Sequence, residues 1–255
     1  MADSCKLRVA GLVKRFGGLT ATDQASFEVR TGEMHALIGP NGAGKTTLIH
    51  QISGALRPDG GRISMDGADI TRLPMHRRVR LGLARSYQIT SVFKAFSVLD
   101  NVAMAVQART GGAAGCWRPV RREADVYAQA RHALERVGLA ARADALTHSL
   151  SHGEQRKLEV ALALATSPSL LLLDEPMAGM GPEESEAMVE LLLGLRGEVT
   201  MLLVEHDMHA VFRLADRLSV LVYGRVIATG SPEAIRGNAD VCRAYLGDEA
   251  TVRAA

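Results

Sequence analysis

The chain has 255 residues, 47% hydrophobic and 23% charged, which is typical of a globular protein with one large domain or two small ones. Its formal net charge of +2 gives no electrostatic argument for a nucleic-acid partner. The three cysteines lie far apart without a C-x-x-C pair, which favours reduced thiols over disulfides or a metal site, and no signal-peptide core or bilayer-length apolar segment is visible.

The first third of the chain is predicted to be rich in β-structure. Alternating and β-branched residues predict strands over 7–13 and 26–30, and a short strand over 62–65 lies between glycine turns. The apolar run 34–38 predicts a buried strand, and residues 47–52 predict a helix. The segment that joins this strand to this helix is therefore a strand-to-helix loop.

That loop reads Gly-Pro-Asn-Gly-Ala-Gly-Lys-Thr over 39–46 and fits the phosphate-binding pattern G-x-x-x-x-G-K-[ST] at every position. Glycines allow the backbone to approach phosphate oxygens, and the loop N–H groups and helix N-terminus attract negative charge. We expect Lys45 to reach the β- and γ-phosphates and the Thr46 hydroxyl to ligate Mg²⁺. The predicted nucleotide contacts are Gly39, Pro40, Asn41, Gly42, Ala43, Gly44, Lys45, Thr46 and Thr47.

The middle of the chain has a helical pattern. Ser97 and Asp100 resemble a capping box, glycines within 111–115 interrupt the first helix, and a polar-faced helix over 121–137 ends at Gly138. After residue 150, strands and helices alternate, which indicates a mostly parallel sheet covered by helices. The expected elements there are strands over 170–173, 199–204, 218–222 and 225–228, and helices from Pro182 to about 193 and over 207–214.

Two short segments carry further chemistry. Asp174 ends a buried strand, where open α/β sheets bind ligands, and can hold Mg²⁺ directly or through water. Glu175 either polarises a water for attack on a γ-phosphate or is a solvated loop acid. Ser151 and Gly153 precede a helix with an apolar stripe, where Ser151 fits an N-cap and the pair also fits an anion site. The residues leave both alternatives open.

Taken together, the phosphate loop, Leu-Ser-His-Gly-Glu-Gln at 150–155 and Leu-Leu-Leu-Leu-Asp-Glu-Pro at 170–176 resemble the Walker A, signature and Walker B motifs of an ABC-transporter ATPase. The resemblance covers essentially the whole chain. It implies an α/β P-loop NTPase (RecA-like) core with an N-terminal antiparallel β subdomain and an inserted α-helical subdomain. The core would comprise 1–96 and 151–255, and the helical subdomain 97–150.

The same resemblance assigns roles to single residues. Phe16 matches the aromatic residue that stacks on adenine, Gln88 the Q-loop glutamine that senses Mg²⁺ and the membrane partner, and His206 the switch histidine at the γ-phosphate. The implied catalytic residues are Glu175, His206 and Gln88; the implied Mg²⁺ ligands are Thr46, Gln88 and Asp174; Ser151 and Gly153 would bind the ATP of the opposite protomer. The chain departs from the usual pattern at His152, where glycine is commonest, and at Gly181, where an acid is usual.

A finer resemblance links the chain to the ATPase subunits of branched-chain amino-acid importers, on the segments 85–90, 111–120, 177–184 and 244–247. It implies Mg²⁺-dependent ATP hydrolysis at a head-to-tail cassette dimer, either a homodimer or a heterodimer with a paralogue. The further implied partners are separate transmembrane permease subunits and, indirectly, a periplasmic or extracellular substrate-binding protein, without direct nucleic-acid contact. The chain would then be cytoplasmic and peripheral on the inner face of the cell membrane.

Three alternatives remain at this stage: uptake of urea or other amides, lipid export, and a soluble ABC ATPase acting on nucleic acid or ribosomes. The loop from Gln88 to Phe96 is the predicted docking site of the membrane partner, because Ile89, Val92, Phe93 and Phe96 form an apolar cluster there. The same side chains could instead pack the joint of the helical subdomain.

Overall fold

A computed structural model describes residues 4–86, 92–110 and 121–243 of the chain. Ten strands and eight α-helices are assigned within these ranges, together with short 3-10 helices at Ala140–Arg142 and Thr147–Ser149. The strands are β1 (Cys5–Phe16), β2 (Leu19–Arg30), β3 (Met34–Ile38), β4 (Gly60–Met65), β5 (Ala68–Asp69), β6 (Leu83–Arg85), β7 (Leu170–Asp174), β8 (Thr200–Val204), β9 (Arg217–Val222) and β10 (Arg225–Gly230). The helices are α1 (Lys45–Ser53), α2 (Met75–Arg80), α3 (Val98–Thr110), α4 (Arg121–Arg136), α5 (His152–Ala165), α6 (Pro182–Gly194), α7 (Met208–Leu214) and α8 (Pro232–Arg236).

The chain divides into two units, the first formed by Met1–Arg78 with Arg196–Ala255 and the second by Val79–Leu195. The first unit contains an antiparallel sheet with the strand order β2-β1-β4-β5. It also contains the strand order β10-β9-β3-β8, in which β3 runs parallel to both neighbours and β10 is antiparallel to β9.

Burial explains the position of β3 within the first unit. Every residue of β3 and of β8 is buried, as expected for parallel strands covered on both faces. Ala36 and Ile38 of β3 pack in one cluster with residues of β9 and with Val211 of α7 and Ile235 of α8. This core fixes the carboxyl end of β3, which leads directly into the phosphate loop.

In the second unit, β6 and β7 pair in parallel, with Arg85 opposite Leu172. The helices α3, α4 and α5 pack against one another in the same unit. The expected Ser97 cap of α3 is present, because the Asp100 N–H donates to Ser97 Oγ at 3.0 Å. Helix α6 begins at Pro182, where the missing proline N–H removes no helical hydrogen bond.

The fold class predicted from the sequence is confirmed as a mixed α/β fold with an antiparallel sheet. The strand expected over 34–38 has those bounds, whereas β1 and β2 extend further because each supplies the other's ladder hydrogen bonds. Helices α2 and α8 and strand β6 were not expected, since none is long enough to show a period. The glycine-containing segment 111–120 lies outside the described residues, and the subdomain limits at 97 and 150 stay a prediction.

Within the described parts of the chain, the helices are all too short or too polar to cross a bilayer.

Candidate nucleotide site

The phosphate loop leaves β3 at Ile38 and enters α1 at Lys45. Gly44 has a φ of +102°, and a Cβ built there would lie 2.2 Å from the Ala21 carbonyl oxygen. A Cβ on Gly39 would lie 2.1 Å from the Leu221 carbonyl oxygen. The loop therefore needs glycine at these two positions, both for the left-handed backbone at Gly44 and for the close approach of neighbouring strands.

The Lys45 side chain is buried and lies within the curve of the loop. Its Nζ donates to the carbonyl oxygens of Gly39 at 2.5 Å and of Pro40 at 3.0 Å. The ammonium thus lies where the loop backbone surrounds it, at the N-terminal end of α1. A positive side chain and a helix N-terminus at one place attract an anion such as phosphate.

The turn between β9 and β10 supports the loop from outside. The Gly224 N–H donates to the Ala43 carbonyl at 2.9 Å, and the Gly224 carbonyl accepts from the Asp23 N–H at 2.8 Å. Arg225 then pairs with the Asp23 carboxylate at 2.6 Å. The strands predicted over 218–222 and 225–228 flank this turn, but nothing in the sequence indicated that the turn contacts the phosphate loop.

The other end of α1 is held by Arg78, which sequence reasoning missed. This side chain is 1% exposed and donates to the carbonyls of Leu73, Gln51, Ile52 and Thr71 at 2.7–3.0 Å. Burial lowers the pKa of its guanidinium to about 10, so it remains charged at neutral pH. The cation lies at the C-terminal end of α1, where the helix dipole favours positive charge. Both ends of the helix are therefore fixed.

His206 lies at the same edge of the first unit as the phosphate loop. Leu37 of β3 is opposite Val204 of β8, so the segments that follow both strands leave the sheet side by side. The His206 N–H donates to the buried Glu205 carboxylate at 2.9 Å, and the imidazole itself is 64% exposed. The backbone of this histidine is anchored while its ring faces solvent at the edge where open sheets bind ligands.

Phe16 ends β1 at the hairpin that leads into β2. Its ring is half exposed, and the Lys14 ammonium lies 5.6 Å from the ring centroid. Ala21 follows in β2 and meets Gly44, so this hairpin lies beside the phosphate loop. Within the first unit, the Phe16 hairpin therefore lies next to the loop, and His206 follows the strand that neighbours β3.

The second unit brings together the carboxylates of the Walker B segment. Asp174 is 3% exposed and accepts a hydrogen bond from Arg85 Nη2 at 2.8 Å. Glu175 has a φ of +49°, a backbone conformation that non-glycine residues adopt infrequently and that costs about 1 kcal/mol or more. Strain of this kind clusters at functional sites, and here it turns the chain immediately after β7.

The second unit also carries the segment that resembles the signature motif. Ser151 Oγ accepts from the Glu154 N–H at 3.2 Å, and the Ser151 N–H donates to Glu154 Oε2 at 2.9 Å, which completes a capping box. The N-cap alternative for Ser151 is therefore confirmed. The Gly153 N–H donates to Glu184 Oε1 at 3.2 Å, and a Cβ on Gly153 would lie 2.6 Å from that oxygen. The Gly153 N–H already donates to a carboxylate, so Glu184 must release it if Gly153 is to bind phosphate.

Gln88 lies outside the described residues. The remaining nucleotide contacts, Asn41, Gly42, Thr46 and Thr47, lie in the loop and the first turn of α1, and Thr46 is exposed. Their roles, like those of the other site residues, stay predictions.

Comparison with known proteins identifies the family. The sequence matches the ABC transporter family over residues 22–178 and the family described as branched-chain amino acid ATP-binding cassette transporter over 225–251. It is 42% identical to the high-affinity branched-chain amino acid transport ATP-binding protein LivG of Salmonella typhimurium, over 95% of this chain and 98% of that protein. It is 37% identical to the lipopolysaccharide export system ATP-binding protein LptB of Acidithiobacillus ferridurans, over 95% and 97%.

A solved structure of the ADP conformation of an ATP-binding cassette of an ABC transporter superposes with a TM-score of 0.82 at 28% identity, covering 95% of this chain and 99% of that one. Family matches to more than half of the sequence, and identities above 30% over nearly complete chains, agree with the order of the three motifs. The chain therefore belongs to the ATP-binding family of ABC transporters.

Proposed function

We propose that this chain is the ATP-hydrolysing subunit of an importer for branched-chain or other hydrophobic amino acids. The observation that carries the proposal is the match of residues 225–251 to the branched-chain family, together with the identity to LivG. Lipid export is the second candidate, because LptB has only slightly lower identity. The nucleotide chemistry described below is the same for both.

In the proposed mechanism each residue performs one task. Phe16 stacks on the adenine, the N–H groups of the loop bind the phosphates, and Lys45 exchanges two backbone carbonyls for phosphate oxygens. Glu175 accepts a proton from the attacking water, and His206 contacts the γ-phosphate. Ser151 and Gly153 bind the ATP of the opposite cassette, so hydrolysis requires two chains, arranged head to tail.

We infer that Thr46, Gln88 and Asp174 hold Mg²⁺ when ATP is bound. Hydroxyl, amide and carboxylate oxygens are the hard donors that Mg²⁺ prefers, and the metal would neutralise charge on the β- and γ-phosphates. The hydroxyl of the exposed residue Thr46 at the start of α1 and the Asp174 carboxylate at the end of β7 suit this role chemically.

Two variants test the nucleotide chemistry. Lys45→Ala is expected to lose ATP binding, since it removes the cation held by the loop. Glu175→Gln is expected to retain ATP binding, to lose about 10²–10⁴-fold in hydrolysis rate, and to accumulate an ATP-bound dimer. Size-exclusion chromatography and phosphate release measure these effects. Hydrolysis at the parental rate by Glu175→Gln would exclude Glu175 as the base.

The transported substrate is tested in cells that lack the gene. Uptake of labelled leucine, isoleucine and valine is expected to be lost and to return with the parental gene but not with Glu175→Gln. Normal amino-acid uptake together with accumulation of lipopolysaccharide in the inner membrane would favour the export function instead.

We further propose that Phe93 and Phe96 contact the permease. They are 58% and 46% exposed, their rings stack with centroids 5.5 Å apart, and the buried Asn101 holds the Phe93 backbone through its N–H at 2.8 Å and its carbonyl at 3.1 Å. Exposed aromatic rings on an anchored backbone are typical of a partner surface. They are less suited to packing the joint of the helical subdomain.

Charge substitution separates docking from packing. Phe93→Asp is expected to leave the isolated subunit folded and able to bind ATP while abolishing copurification with the permease. The matched control is Ile227→Asp, which changes another exposed apolar side chain, 40% exposed, in the first unit. If Phe93→Asp unfolds the subunit, the ring belongs to the core. If the complex and transport both survive, the docking surface lies elsewhere.

A further inference from the structure

A buried ion pair lies at the carboxyl ends of β6 and β7 in the second unit. Arg85 Nη2 donates to Asp174 Oδ2 at 2.8 Å, and the two side chains are 6% and 3% exposed. The two strand ends lie side by side because Arg85 pairs with Leu172 across the ladder. The Ser86 N–H also donates to the Leu172 carbonyl at 2.9 Å. The register of the strands therefore brings this guanidinium to this carboxylate.

A buried ion pair is not an efficient way to stabilise the end of a sheet. Taking two charges out of water costs free energy that their attraction recovers only with good geometry, and apolar side chains of similar volume often serve stability as well or better. The pair involves the carboxylate assigned to Mg²⁺ in the proposed function. Stability alone gives a poor account of an arginine at this position.

We propose that Arg85 is a positioning residue for the metal–nucleotide complex, because it fixes the Asp174 carboxylate through Oδ2 and leaves Oδ1 as the oxygen available to the metal. The inference rests on the proposed role of Asp174 as a Mg²⁺ ligand. Among the described residues, Oδ2 is the Asp174 oxygen that accepts a hydrogen bond. Arginine suits the task because its planar guanidinium is always charged and restricts the rotation of a carboxylate.

The alternative is that the fixed positive charge of Arg85 opposes the metal. The two effects have opposite signs: loss of a positioning group weakens the contribution of Mg²⁺ to nucleotide binding, whereas loss of a repelling cation strengthens it. Groups that orient a metal ligand typically contribute about 10–100-fold to metal affinity. A measurement of metal-dependent binding thus distinguishes them.

The test uses the full chain, a fluorescent non-hydrolysable ATP analogue, and its dissociation constants in EDTA and in excess Mg²⁺. The ratio of these two constants is the magnesium effect. Arg85→Met is expected to lower the magnesium effect about tenfold, while affinity in EDTA stays close to that of the parent. An unchanged or larger magnesium effect would overturn the proposal.

A double variant tests whether Arg85 acts through Asp174. If it does, adding Arg85→Met to Asp174→Asn produces no further loss of the magnesium effect. Additive losses would overturn the positioning role. Because the double variant removes both charges, it avoids the unpaired buried carboxylate that could unfold Arg85→Met. Arg85→Lys, which keeps the charge but loses the planar fork, is expected to show an intermediate loss and replaces Arg85→Met if that variant does not fold.

The matched control is Arg156→Met, which breaks another buried ion pair of the second unit, with Glu159 at 2.9 Å and exposures of 11% and 8%. It is expected to lower the unfolding temperature without altering the magnesium effect. Loss of the magnesium effect in Arg156→Met would attribute the result to general destabilisation and overturn the proposal.

If Asp174→Asn leaves the magnesium effect unchanged, the metal assignment in the proposed function is wrong. If only the Arg85 variants leave it unchanged, the positioning role alone fails.

Discussion

The phosphate loop of the first unit follows the buried strand β3, and the carboxylate segment of the second unit, Asp174 and Glu175, lies at the end of the buried strand β7. Different interactions hold these two segments in place. In the loop, the critical contacts involve backbone atoms: Gly44 approaches a carbonyl that leaves no space for a Cβ, and Gly224 donates to the Ala43 carbonyl. In the carboxylate segment, the Asp174 side chain is held by a side chain from another strand, Arg85. A backbone-positioned site depends on glycine, and a side-chain-positioned site depends on charge pairing.

The largest expected effect tests the backbone half of this comparison. Gly44→Ala is expected to abolish nucleotide binding, because the new Cβ would lie 2.2 Å from a backbone carbonyl at a φ of +102°. Gly42→Ala is the control: its φ is +77°, but its Cβ would meet nothing within 4 Å, so it should cost only about 1 kcal/mol of strain. Thermal unfolding and titration with fluorescent nucleotide measure both. Equal effects would mean that the φ angle, and not the close approach, makes the loop sensitive.

The next effect concerns the far end of α1. Arg78→Met is expected to lower the free energy of unfolding by about 3 kcal/mol, because it leaves buried carbonyls without donors. Exposed Arg77→Met should change it by no more than about 0.5 kcal/mol. Urea unfolding gives both values. A small loss in Arg78→Met would show that the four hydrogen bonds of this side chain contribute little to holding the end of α1.

A smaller effect separates the two roles of Ser151. Ser151→Ala removes the acceptor of the Glu154 N–H and is expected to destabilise the subunit by about 1 kcal/mol. Because its proposed ligand is the ATP of the opposite cassette, nucleotide affinity of the monomer should not change, whereas ATP-dependent dimerisation should weaken. Ser231→Ala, at the cap of α8, is the control for loss of a cap alone. Equal dimerisation in both variants would leave Ser151 with only its structural role.

The smallest effect is a pH dependence at the start of β3. Burial raises the pKa of Glu33, but hydrogen bonds from His35 and the Arg30 N–H outweigh burial and lower the pKa below its usual 4.5. Glu33 therefore stabilises the fold above about pH 4.5, and this contribution is lost as pH falls through the lowered pKa.

Glu33→Gln is accordingly expected to reduce stability at pH 7 by about 1 kcal/mol and to flatten its decline below pH 5. Surface Glu28→Gln, which removes an exposed pair with Arg8, should change neither by more than about 0.5 kcal/mol. Urea unfolding from pH 7 to pH 3 measures the two profiles. An unaltered slope in Glu33→Gln would mean that other carboxylates dominate acid sensitivity.

Local patterns were sufficient to predict the phosphate loop, its flanking strand and helix, and the order of motifs that identifies the family. Backbone geometry in the loop demands glycine at fixed spacing, and spacing is visible in a sequence. The Ser151 cap was predictable for the same reason, since its partner Glu154 lies one helical turn away.

The distant groups that hold these local features in place became visible only in the folded chain. Four contacts join residues that are far apart in sequence: Arg78 with the end of α1, Gly224 with Ala43, Glu184 with the Gly153 N–H, and Arg85 with Asp174. A buried arginine has no periodic signature, and β6, which carries Arg85, is three residues long. Strand register and burial, which arise from the whole core, bring these pairs together, so no local pattern could have predicted them.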